Sequence, residues 1–262
     1  MCLILFGWQA HPRFRLVLAA NRDELHARPS APAGWWEDTP GVFGGRDRVA
    51  GGTWLGITRA GRFAALTNVR DLRRPAPAGP TASRGKLVSD FLAGSATPLD
   101  YLAGRAGQVT RCLPYNLLAG DGQQLGCLGS LDARVHPVAA GVHGLSNHLI
   151  DTPWPKVEQG RTRLEGLLGE RDQAALEASL FALLSERVIA PDERLPDTGV
   201  GLARERALSP NMIVDPVYGT RCASVLLWGH NGHWTLRERS FDADGRLSGE
   251  QHGSSIAGDR PG

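Results

Sequence analysis

Lysine is almost absent from this 262-residue sequence: Lys86 and Lys156 are lysines, and every other basic residue apart from histidine is an arginine. The 29 Lys+Arg and 27 Asp+Glu nearly balance, which leaves a formal net charge of +2. The arginines are dispersed, and Arg73-Arg74 is the one adjacent basic pair. Both features argue against a nucleic acid as the partner.

Long apolar segments are also missing. No run approaches the ~18–20 residues that a membrane helix needs, so we expect no stable membrane insertion. The short apolar stretch at the N-terminus has no basic leader before it, which favours a protein that stays in the cytoplasm.

Cysteine is scarce and spaced too widely for a zinc site or a disulfide framework. Cys2, Cys112, Cys127 and Cys222 include no Cys-x-x-Cys pair, and no histidine lies at the spacing of a zinc ligand. No Gly-x-Gly-x-x-Gly follows the first apolar run, so nucleotide binding is not indicated. The sequence therefore predicts no metal, and it predicts that Cys112, Cys127 and Cys222 are small buried residues.

Apolar runs of strand type and of helical spacing follow one another in the order strands, helices, strands, helices, strands. This order predicts an α+β fold with antiparallel sheets and with helices in separate layers. Residues 28–52 are expected to form a long ordered loop, and residues 212–217 a strand. We expect residues 1–241 to form a single domain and residues 242–262, rich in Gly and Ser, to form a flexible tail.

Cys2 follows the initiator methionine, and a small second residue generally permits removal of that methionine. Removal would leave a thiol and a free α-amine on one residue. The α-amine has an ordinary pKa of about 8, so part of it is neutral near pH 7 and can accept the thiol proton. Cys2 would then act as both nucleophile and base. The alternative is a buried cysteine in the first strand.

The polar cluster Asn21-Arg22-Asp23-Glu24 ends the second apolar run. If the first two runs form an antiparallel hairpin, the end of the second strand lies beside the start of the first, which places this cluster near Cys2. A cation at Arg22 would favour the thiolate, and Asp23 would orient the α-amine and the guanidinium. The alternative is a polar strand end held by salt bridges.

Several short motifs occur together along the chain. They are Met1-Cys2, Asn21-Arg22-Asp23-Glu24, Gly51-Gly52-Thr53-Trp54-Leu55-Gly56, Thr67-Asn68-Val69-Arg70, Tyr115-Asn116-Leu117-Leu118, Leu145-Ser146-Asn147, Trp154-Pro155-Lys156 and Tyr218-Gly219-Thr220-Arg221. With these motifs in this order, the sequence resembles the NRDE family, also called the transport and Golgi organisation 2 family. The resemblance spans residues 1–241, nearly the whole chain.

The resemblance implies an N-terminal nucleophile hydrolase fold, a four-layer αββα sandwich, and a similarity to cysteine amidases such as bile-salt hydrolases and penicillin V acylases. Those amidases combine an N-terminal cysteine with a nearby arginine and aspartate, asparagine side chains around the oxyanion, and a late arginine. The residues that match these catalytic positions are Cys2, Arg22, Asp23, Asn68, Asn147 and Arg221. Because the arginine and aspartate of the amidases are not adjacent, Glu24 is an alternative to Asp23 for the acidic role.

Three further residues are expected to contact the substrate: Glu24, Trp54 and Asn116. Trp54 would form a wall of the pocket, with a place in the core as the alternative. Asn68 and Asn147 lie at or after strand ends, so capping of a turn is the alternative to donating to an oxyanion. An oxyanion donor must lie ~3 Å from the developing charge, which a sequence does not reveal.

The sequence therefore predicts a cysteine hydrolase that acts on an amide or other acyl substrate without a metal or an organic cofactor. The alternative is a non-catalytic carrier or chaperone of a hydrophobic ligand such as haem or a lipid, in which Trp35, Trp36 and Trp54 line an apolar cleft. In that case Cys2 or His148 would bind the haem iron. The identity of the substrate and the oligomeric state stay open.

Overall fold

The computed structural model describes residues 2–75 and 81–255, and it contains thirteen β-strands and five α-helices in these ranges. The strands are β1 (Cys2–Trp8), β2 (Phe14–Leu25), β3 (Ser30–Trp35), β4 (Val42–Asp47), β5 (Leu55–Thr58), β6 (Phe63–Asn68), β7 (Tyr115–Gly120), β8 (Leu125–Gly129), β9 (Arg134–Pro137), β10 (Gly141–Leu145), β11 (Tyr218–Gly229), β12 (Trp234–Phe241) and β13 (Leu247–Ser254). The helices are α1 (Arg84–Ala93), α2 (Pro98–Ala106), α3 (Pro155–Leu167), α4 (Gln173–Leu184) and α5 (Leu202–Ala207). None of the helices within the described ranges is both long and apolar enough to cross a membrane.

The strands form two antiparallel sheets that pack face to face. The six-stranded sheet has the order β10-β1-β2-β11-β12-β13, and the seven-stranded sheet runs from β3 to β9 in chain order. The six-stranded sheet thus joins the first two strands of the chain to the last three. Because β2 lies between its hairpin partner β1 and the late strand β11, the surroundings of Cys2 are built from both ends of the chain.

Alternate residues of the first strand face opposite cores, because the side chains of a β-strand alternate between its faces. Ile4 and Phe6 lie in the core between the two sheets, and Leu3 and Leu5 lie in the core that includes α3 and α4. A third core joins α1 and α2 to the other face of the seven-stranded sheet. The layers are helices, sheet, sheet and helices, which confirms the predicted αββα sandwich.

The loop predicted for residues 28–52 is wrong, because β3 and β4 form an antiparallel pair there. β3 is the outermost strand of its sheet, a position where Pro32 is tolerated. In β4, a Cβ atom on Gly44 would lie 2.6 Å from the Leu55 carbonyl oxygen, so the neighbouring strand requires glycine at this position. Proline and glycine thus obscure the strand pattern in the sequence while fitting the sheet.

The strand predicted for residues 212–217 is also wrong. Met212 and Ile213 are buried, but their backbone groups bond to separate partners. The Met212 amide donates to the Glu186 carbonyl (2.9 Å), and the Ile213 amide donates to Thr220 Oγ1 (2.9 Å). A buried loop gives the same short apolar run as a strand, so the run alone does not separate the two structures.

The flexible tail predicted for residues 242–262 is wrong over Leu247–Ser254, which form β13 at the edge of the six-stranded sheet. This strand pairs with β12, and a Cβ atom on Gly253 would lie 2.6 Å from atoms of the Phe43 ring. Glycine therefore lets the edge strand pack closely against the other sheet. Residues 256–262 of the predicted tail lie outside the described residues.

Gly52 brings the loop before β5 against the start of α1. A Cβ atom on Gly52 would lie 2.3 Å from the Gly85 carbonyl carbon and 2.7 Å from the Lys86 nitrogen, and both are backbone atoms. Gly52→Ala is therefore expected to lower the free energy of unfolding by about 1–3 kcal/mol, measured by urea denaturation. Gly104, in α2, is the control: nothing lies within 4 Å of its Cβ position, so Gly104→Ala is expected to raise that free energy by about 0.5–1 kcal/mol. Similar effects of the two substitutions would contradict the close packing at Gly52.

Candidate functional site

The hairpin register places Cys2 directly opposite Arg22, so the polar cluster lies near Cys2, as the sequence predicts. On the other side of β2, Cys222 of β11 lies opposite the same arginine. Arg22 is buried, and its guanidinium carbon lies 4.1 Å from the centroid of the Trp54 ring. Its Nη1 also donates to Ser30 Oγ at 3.3 Å. A buried, stacked cation therefore stands beside the first residue of β1, where it favours a negative charge.

Asp23 is buried next to Arg22 and is held by hydrogen bonds from β11. Thr220 Oγ1 donates to Asp23 Oδ1 at 2.7 Å, and the Tyr218 hydroxyl donates to the Asp23 carbonyl at 3.0 Å. Burial raises the pKa of Asp23, and the positive charge of Lys156 opposes that rise. Lys156, near the start of α3, is itself buried. A buried carboxylate and a buried ammonium group thus lie close to the start of β1.

A cleft of about 450 Å³ opens beside these groups, and we call it the main cleft. Its volume lies within the range of about 300–1,000 Å³ that small-molecule sites occupy. Its charged lining residues are Arg22, Arg28, Arg70, Arg84, Arg204, Asp23, Glu24 and Asp47. Its other lining residues include Thr53, Trp54, Asn68, Val69 and Tyr218. The main cleft is therefore rich in charged residues, with more arginines than carboxylates.

Two of these arginines form ion pairs in the wall of the main cleft. Arg28 donates from Nη2 to Asp47 Oδ2 at 2.7 Å, and this hydrogen bond raises the pKa of Arg28. Arg70 donates from Nη2 to Glu205 Oε2 at 2.8 Å and from Nε to Thr198 Oγ1 at 3.1 Å. Burial lowers the pKa of Arg70, and the charge of Glu205 opposes that change. The buried pair ties the segment around α5 to the chain after β6.

Sequence reasoning missed five of the basic residues at the site: Arg28, Arg70, Arg84, Lys156 and Arg204. Arg70 and Lys156 are each the last residue of a motif that carries the family resemblance. Their place in these motifs was the sequence signal that could have identified them as site residues. The other three lie in segments without a motif. Since they come from distant parts of the chain, only the folded structure shows that they meet at one cleft.

Of the three predicted asparagines, all within the described ranges, Asn68 alone lines the main cleft. Asn147 is fully buried, and its Nδ2 donates to the Asn68 carbonyl at 2.8 Å. Asn116 is also fully buried, and its Nδ2 donates to Thr67 Oγ1 at 3.0 Å and to the His148 carbonyl at 2.8 Å. The two buried carboxamides therefore hold the end of β6, which carries Asn68 to the cleft.

Arg221 does not line the main cleft. The pairing of β11 with β2 shifts register between Thr220 and Cys222, so Arg221 lies at a bulge, and bulges re-aim a side chain. Its Nη1 donates to the carbonyls of Leu25 and His26, both at 3.0 Å. Burial lowers the pKa of Arg221. This arginine therefore contributes to the site by holding the backbone turn that follows β2.

Glu24 and Trp54, which the sequence predicts to contact substrate, both line the main cleft. Glu24 Oε1 accepts a hydrogen bond from the Leu25 amide at 2.9 Å, so the carboxylate is partly engaged by its own backbone. Trp54 and Arg22 also line a second cavity of about 330 Å³. The stacked Arg22 and Trp54 side chains therefore stand between the main cleft and the second cavity.

The second cavity is lined by Cys222 and Glu238 together with several hydroxyl groups. Glu238 is buried and accepts hydrogen bonds from the Ala33 amide at 2.7 Å and from Ser224 Oγ at 3.3 Å. Burial raises the pKa of Glu238, and hydrogen bonds from the Ala33 amide and the Cys222 thiol oppose that rise. Cys222 is thus buried, as the sequence predicts, but among polar groups.

The carrier hypothesis predicts that Trp35 and Trp36 line an apolar cleft, and this prediction is wrong. Trp35 packs against Phe43 with 5.3 Å between the ring centroids, and Trp36 is buried in the core under α1 and α2. His148 does not line the main cleft, and its Nδ1 lies 3.0 Å from Thr152 Oγ1. Within the part of the chain that the structure describes, no cluster of three or more His, Cys, Asp and Glu residues could hold a metal. Trp35, Trp36 and His148 therefore do not line the main cleft, and a haem or lipid carrier stays a prediction.

Two stacked antiparallel sheets between helical layers form the fold of the N-terminal nucleophile hydrolases. The structure aligns with that of a conjugated bile acid hydrolase from Clostridium perfringens with a TM-score of 0.50, over 97% of this chain and 92% of that chain, at 8% sequence identity. Residues 1–243 match the sequence profile of the family Transport and Golgi organisation 2. The chain belongs to this family, which confirms the resemblance that its motifs carry.

Relatives in animals share most of the chain. The Transport and Golgi organization protein 2 homologs of Bos taurus and Homo sapiens are 35% and 34% identical over 264 residues, which cover 92% of this chain and 93% of each relative. The Transport and Golgi organization protein 2 of Drosophila melanogaster is 29% identical over 87% of both chains. The similarity therefore extends over nearly the full length of these proteins.

Proposed function

We propose that this protein is a cysteine hydrolase that cleaves an amide or other acyl bond in the main cleft, with Cys2 as the nucleophile. The observation that carries the proposal is the strand register: Cys2 lies opposite Arg22, and Arg22 lines the main cleft. The fold shared with a conjugated bile acid hydrolase supports cleavage of an acyl bond.

The proposed reaction begins with the α-amine that removal of Met1 would leave on Cys2. The neutral amine takes the thiol proton, and the positive charge of Arg22 favours the thiolate. The thiolate attacks the substrate carbonyl, a thioester forms as the C–N bond breaks, and the leaving amine takes the proton. Water then attacks the thioester and releases the carboxylic acid, which restores the thiol.

Asp23 is the proposed acidic partner of the α-amine, in preference to Glu24. Asp23 is buried beside Arg22, and Thr220 fixes its carboxylate. Glu24 is more exposed, and its Oε1 already accepts from the adjacent backbone amide. A buried carboxylate interacts more strongly with a nearby ammonium group than an exposed one does, because solvent screens it less.

Asn68 is the proposed donor to the oxyanion, because it is the predicted asparagine that lines the main cleft. Asn147 acts on it as a positioning residue through the hydrogen bond to the Asn68 carbonyl. Such a donor acts when it points at the position where negative charge develops. Trp54, which also lines the cleft, would form the wall that holds the acyl group.

Thiol labelling tests the proposal before a substrate is known. Native protein is treated with a limiting amount of iodoacetamide at mildly acidic pH, and mass spectrometry identifies the modified peptides and the N-terminal residue. We expect Met1 to be absent and Cys2 to be labelled first, because a thiolate reacts and a thiol does not. Cys112, Cys127 and Cys222 are buried, and burial raises the pKa of Cys127 to about 12.

Urea-unfolded protein is the control, because all four cysteines should then be labelled at similar rates. An inert Cys2 in the folded protein, or retention of Met1 ahead of it, would contradict the proposal. N-acyl amides and activated esters are then added to the protein one by one, and mass spectrometry measures the intact mass of the protein after each addition. A mass increase equal to the acyl group, located on Cys2, would report the thioester.

A further inference from the structure

Positive charge is concentrated in the main cleft. Five arginines line it against three carboxylates. Asp47 is engaged by Arg28, and Asp23 lies among buried groups near Lys156. The remaining carboxylate, on Glu24, accepts from its neighbouring backbone amide. Arg70 is paired with Glu205, which is not part of the lining, so three further arginines stand against the carboxylates of Asp23 and Glu24.

Arg204 supplies part of this charge at the rim of the cleft. Its side chain is exposed, and its guanidinium carbon lies 5.7 Å from the centroid of the Tyr218 ring. Among the described residues, no carboxylate oxygen lies within 4.0 Å of an Arg204 guanidinium nitrogen, the distance that defines an ion pair. Its neighbour Glu205 is buried and bound to Arg70, which fixes the rotation of α5 about its axis. Successive helix residues point in different directions, so Arg204 faces the main cleft while Glu205 faces the interior.

Arg84 reaches the same cleft from a different layer of the fold. It begins α1, which packs on the seven-stranded sheet and has no acidic residue in its first turn. Its Nη1 donates to the Pro114 carbonyl at 3.1 Å, which holds the side chain half-buried in the wall. Arg204, by contrast, lies beside Tyr218 at the start of β11 in the six-stranded sheet. Two guanidinium groups from the two halves of the sandwich therefore line one cleft.

We infer that the main cleft binds a substrate with an anionic oxygen group, a carboxylate or a phosphate, and that Arg84 and Arg204 recognise this group. A guanidinium binds both kinds of anion through paired, parallel hydrogen bonds. The inference rests on the proposed function, because it names the class of acyl substrate that Cys2 would attack. With its charge held by the two arginines, the substrate presents its acyl carbonyl toward Arg22.

Binding of matched acyl compounds tests this inference. N-Hexanoylglycine, its neutral methylamide and N-hexanoyl-aminomethylphosphonate are titrated into the full-length Cys2→Ala protein, and calorimetry gives the Kd of each. We expect at least one anion to bind about 10-fold or more tightly than the methylamide, because charge-assisted hydrogen bonds are about twice as strong as neutral ones. The tighter of the two anions shows whether the cleft suits a carboxylate or a phosphate.

Arginine variants locate the recognition. Arg204→Gln and Arg84→Gln are each expected to reduce the preference for the anion by about 10-fold, the loss typical of one hydrogen bond to a charged group. Arg206→Gln is the matched control, because Arg206 lies on the same helix, pairs with Asp192 and does not line the main cleft. The Arg206→Gln protein should prefer the anion over the methylamide by the same ratio of Kd values as the parent protein. Equal binding of anions and methylamide to the parent, or an unchanged preference in both cleft variants, would overturn the inference.

Failure of this inference is distinguishable from failure of the proposed hydrolysis. In one outcome, the anions bind in an arginine-dependent way, but Cys2 of the unsubstituted protein forms no thioester with any acyl compound. That outcome would overturn the hydrolase proposal and leave anion recognition in place. Hydrolysis of charged and neutral compounds at equal kcat/KM would support the hydrolase and overturn anion recognition.

Discussion

Replacing Cys2 with alanine is expected to lower the turnover number for an amide substrate by about 10³-fold or more, the loss typical of removing a nucleophile. The proposed reaction passes through a thioester, and an alanine side chain has no atom that can form it. Steady-state release of the amine gives the turnover number. Intact-mass spectrometry of a rapidly quenched reaction shows whether the acyl group is bound to the protein.

Cys222 provides a matched control for this substitution. It lies opposite Arg22 on the other side of β2, so it shares with Cys2 the neighbourhood of the same cation. It lines the second cavity, however, and not the main cleft. Cys222→Ser keeps a hydrogen-bond donor next to Glu238 and is expected to leave turnover nearly unchanged. Normal turnover in Cys2→Ala, or loss of turnover in Cys222→Ser alone, would contradict the assignment of Cys2.

Glu205→Ala is expected to lower the free energy of unfolding by about 3–5 kcal/mol, the usual cost of removing one partner from a buried ion pair. The side chains of Glu205 and Arg70 are 3% and 7% exposed, so water screens their interaction little. Glu205 Oε1 also accepts hydrogen bonds from the amide (2.8 Å) and the hydroxyl (2.6 Å) of Thr198. The substitution leaves the Arg70 guanidinium buried without this carboxylate. Urea denaturation followed by circular dichroism measures the change.

Two comparisons separate the charge effect from simple loss of packing. The double substitution of Arg70→Met with Glu205→Leu replaces the pair by apolar side chains and is expected to recover much of the lost stability. Asp192→Asn breaks the exposed ion pair between Asp192 and Arg206, which lies on α5 as Glu205 does. This substitution should lower the free energy of unfolding by less than about 1 kcal/mol. A cost for Glu205→Ala as small as that of Asp192→Asn would mean that the buried pair contributes little.

The local part of the site follows from the sequence, because a hairpin sets its own register. The end of β2 must lie beside the start of β1, so the proximity of Cys2 and Arg22 is predictable from two apolar runs and a turn. The helices are predictable for the same reason, since their apolar spacing is local. The αββα layers follow once the order of strands and helices is read together with the family resemblance.

The rest of the site depends on contacts between distant segments. Arg84 begins α1 and Arg204 lies in α5, far apart in the chain, so no local pattern encodes that both line one cleft. Arg221 is turned away from the main cleft by a one-residue bulge, a feature invisible in the apolar run of β11. Asn147 and Asn116 look like ligand-binding residues in sequence, yet their carboxamides serve buried backbone and side-chain groups.

Two of the four edge strands, β3 and β13, were missed by the sequence prediction. Central strands are buried on both faces and read as continuous apolar runs. β3 and β13 lie at the outer positions of their sheets, where exposure permits proline, glycine and serine. Their sequences therefore look like loop or tail, although each pairs with its neighbour across one register shift.

The order of strands in the six-stranded sheet has a consequence for how the protein is made. The seven-stranded sheet uses consecutive strands from β3 to β9, so its pairings can form while the chain is still being synthesised. β2 must wait for β11, whose residues leave the ribosome long after those of β2. The strand pairing between Arg22 and Cys222 closes a long loop and is expected to form late. A truncated or nascent chain would therefore carry Cys2 without an assembled site, and the proposed activity would appear only after β11 had paired with β2.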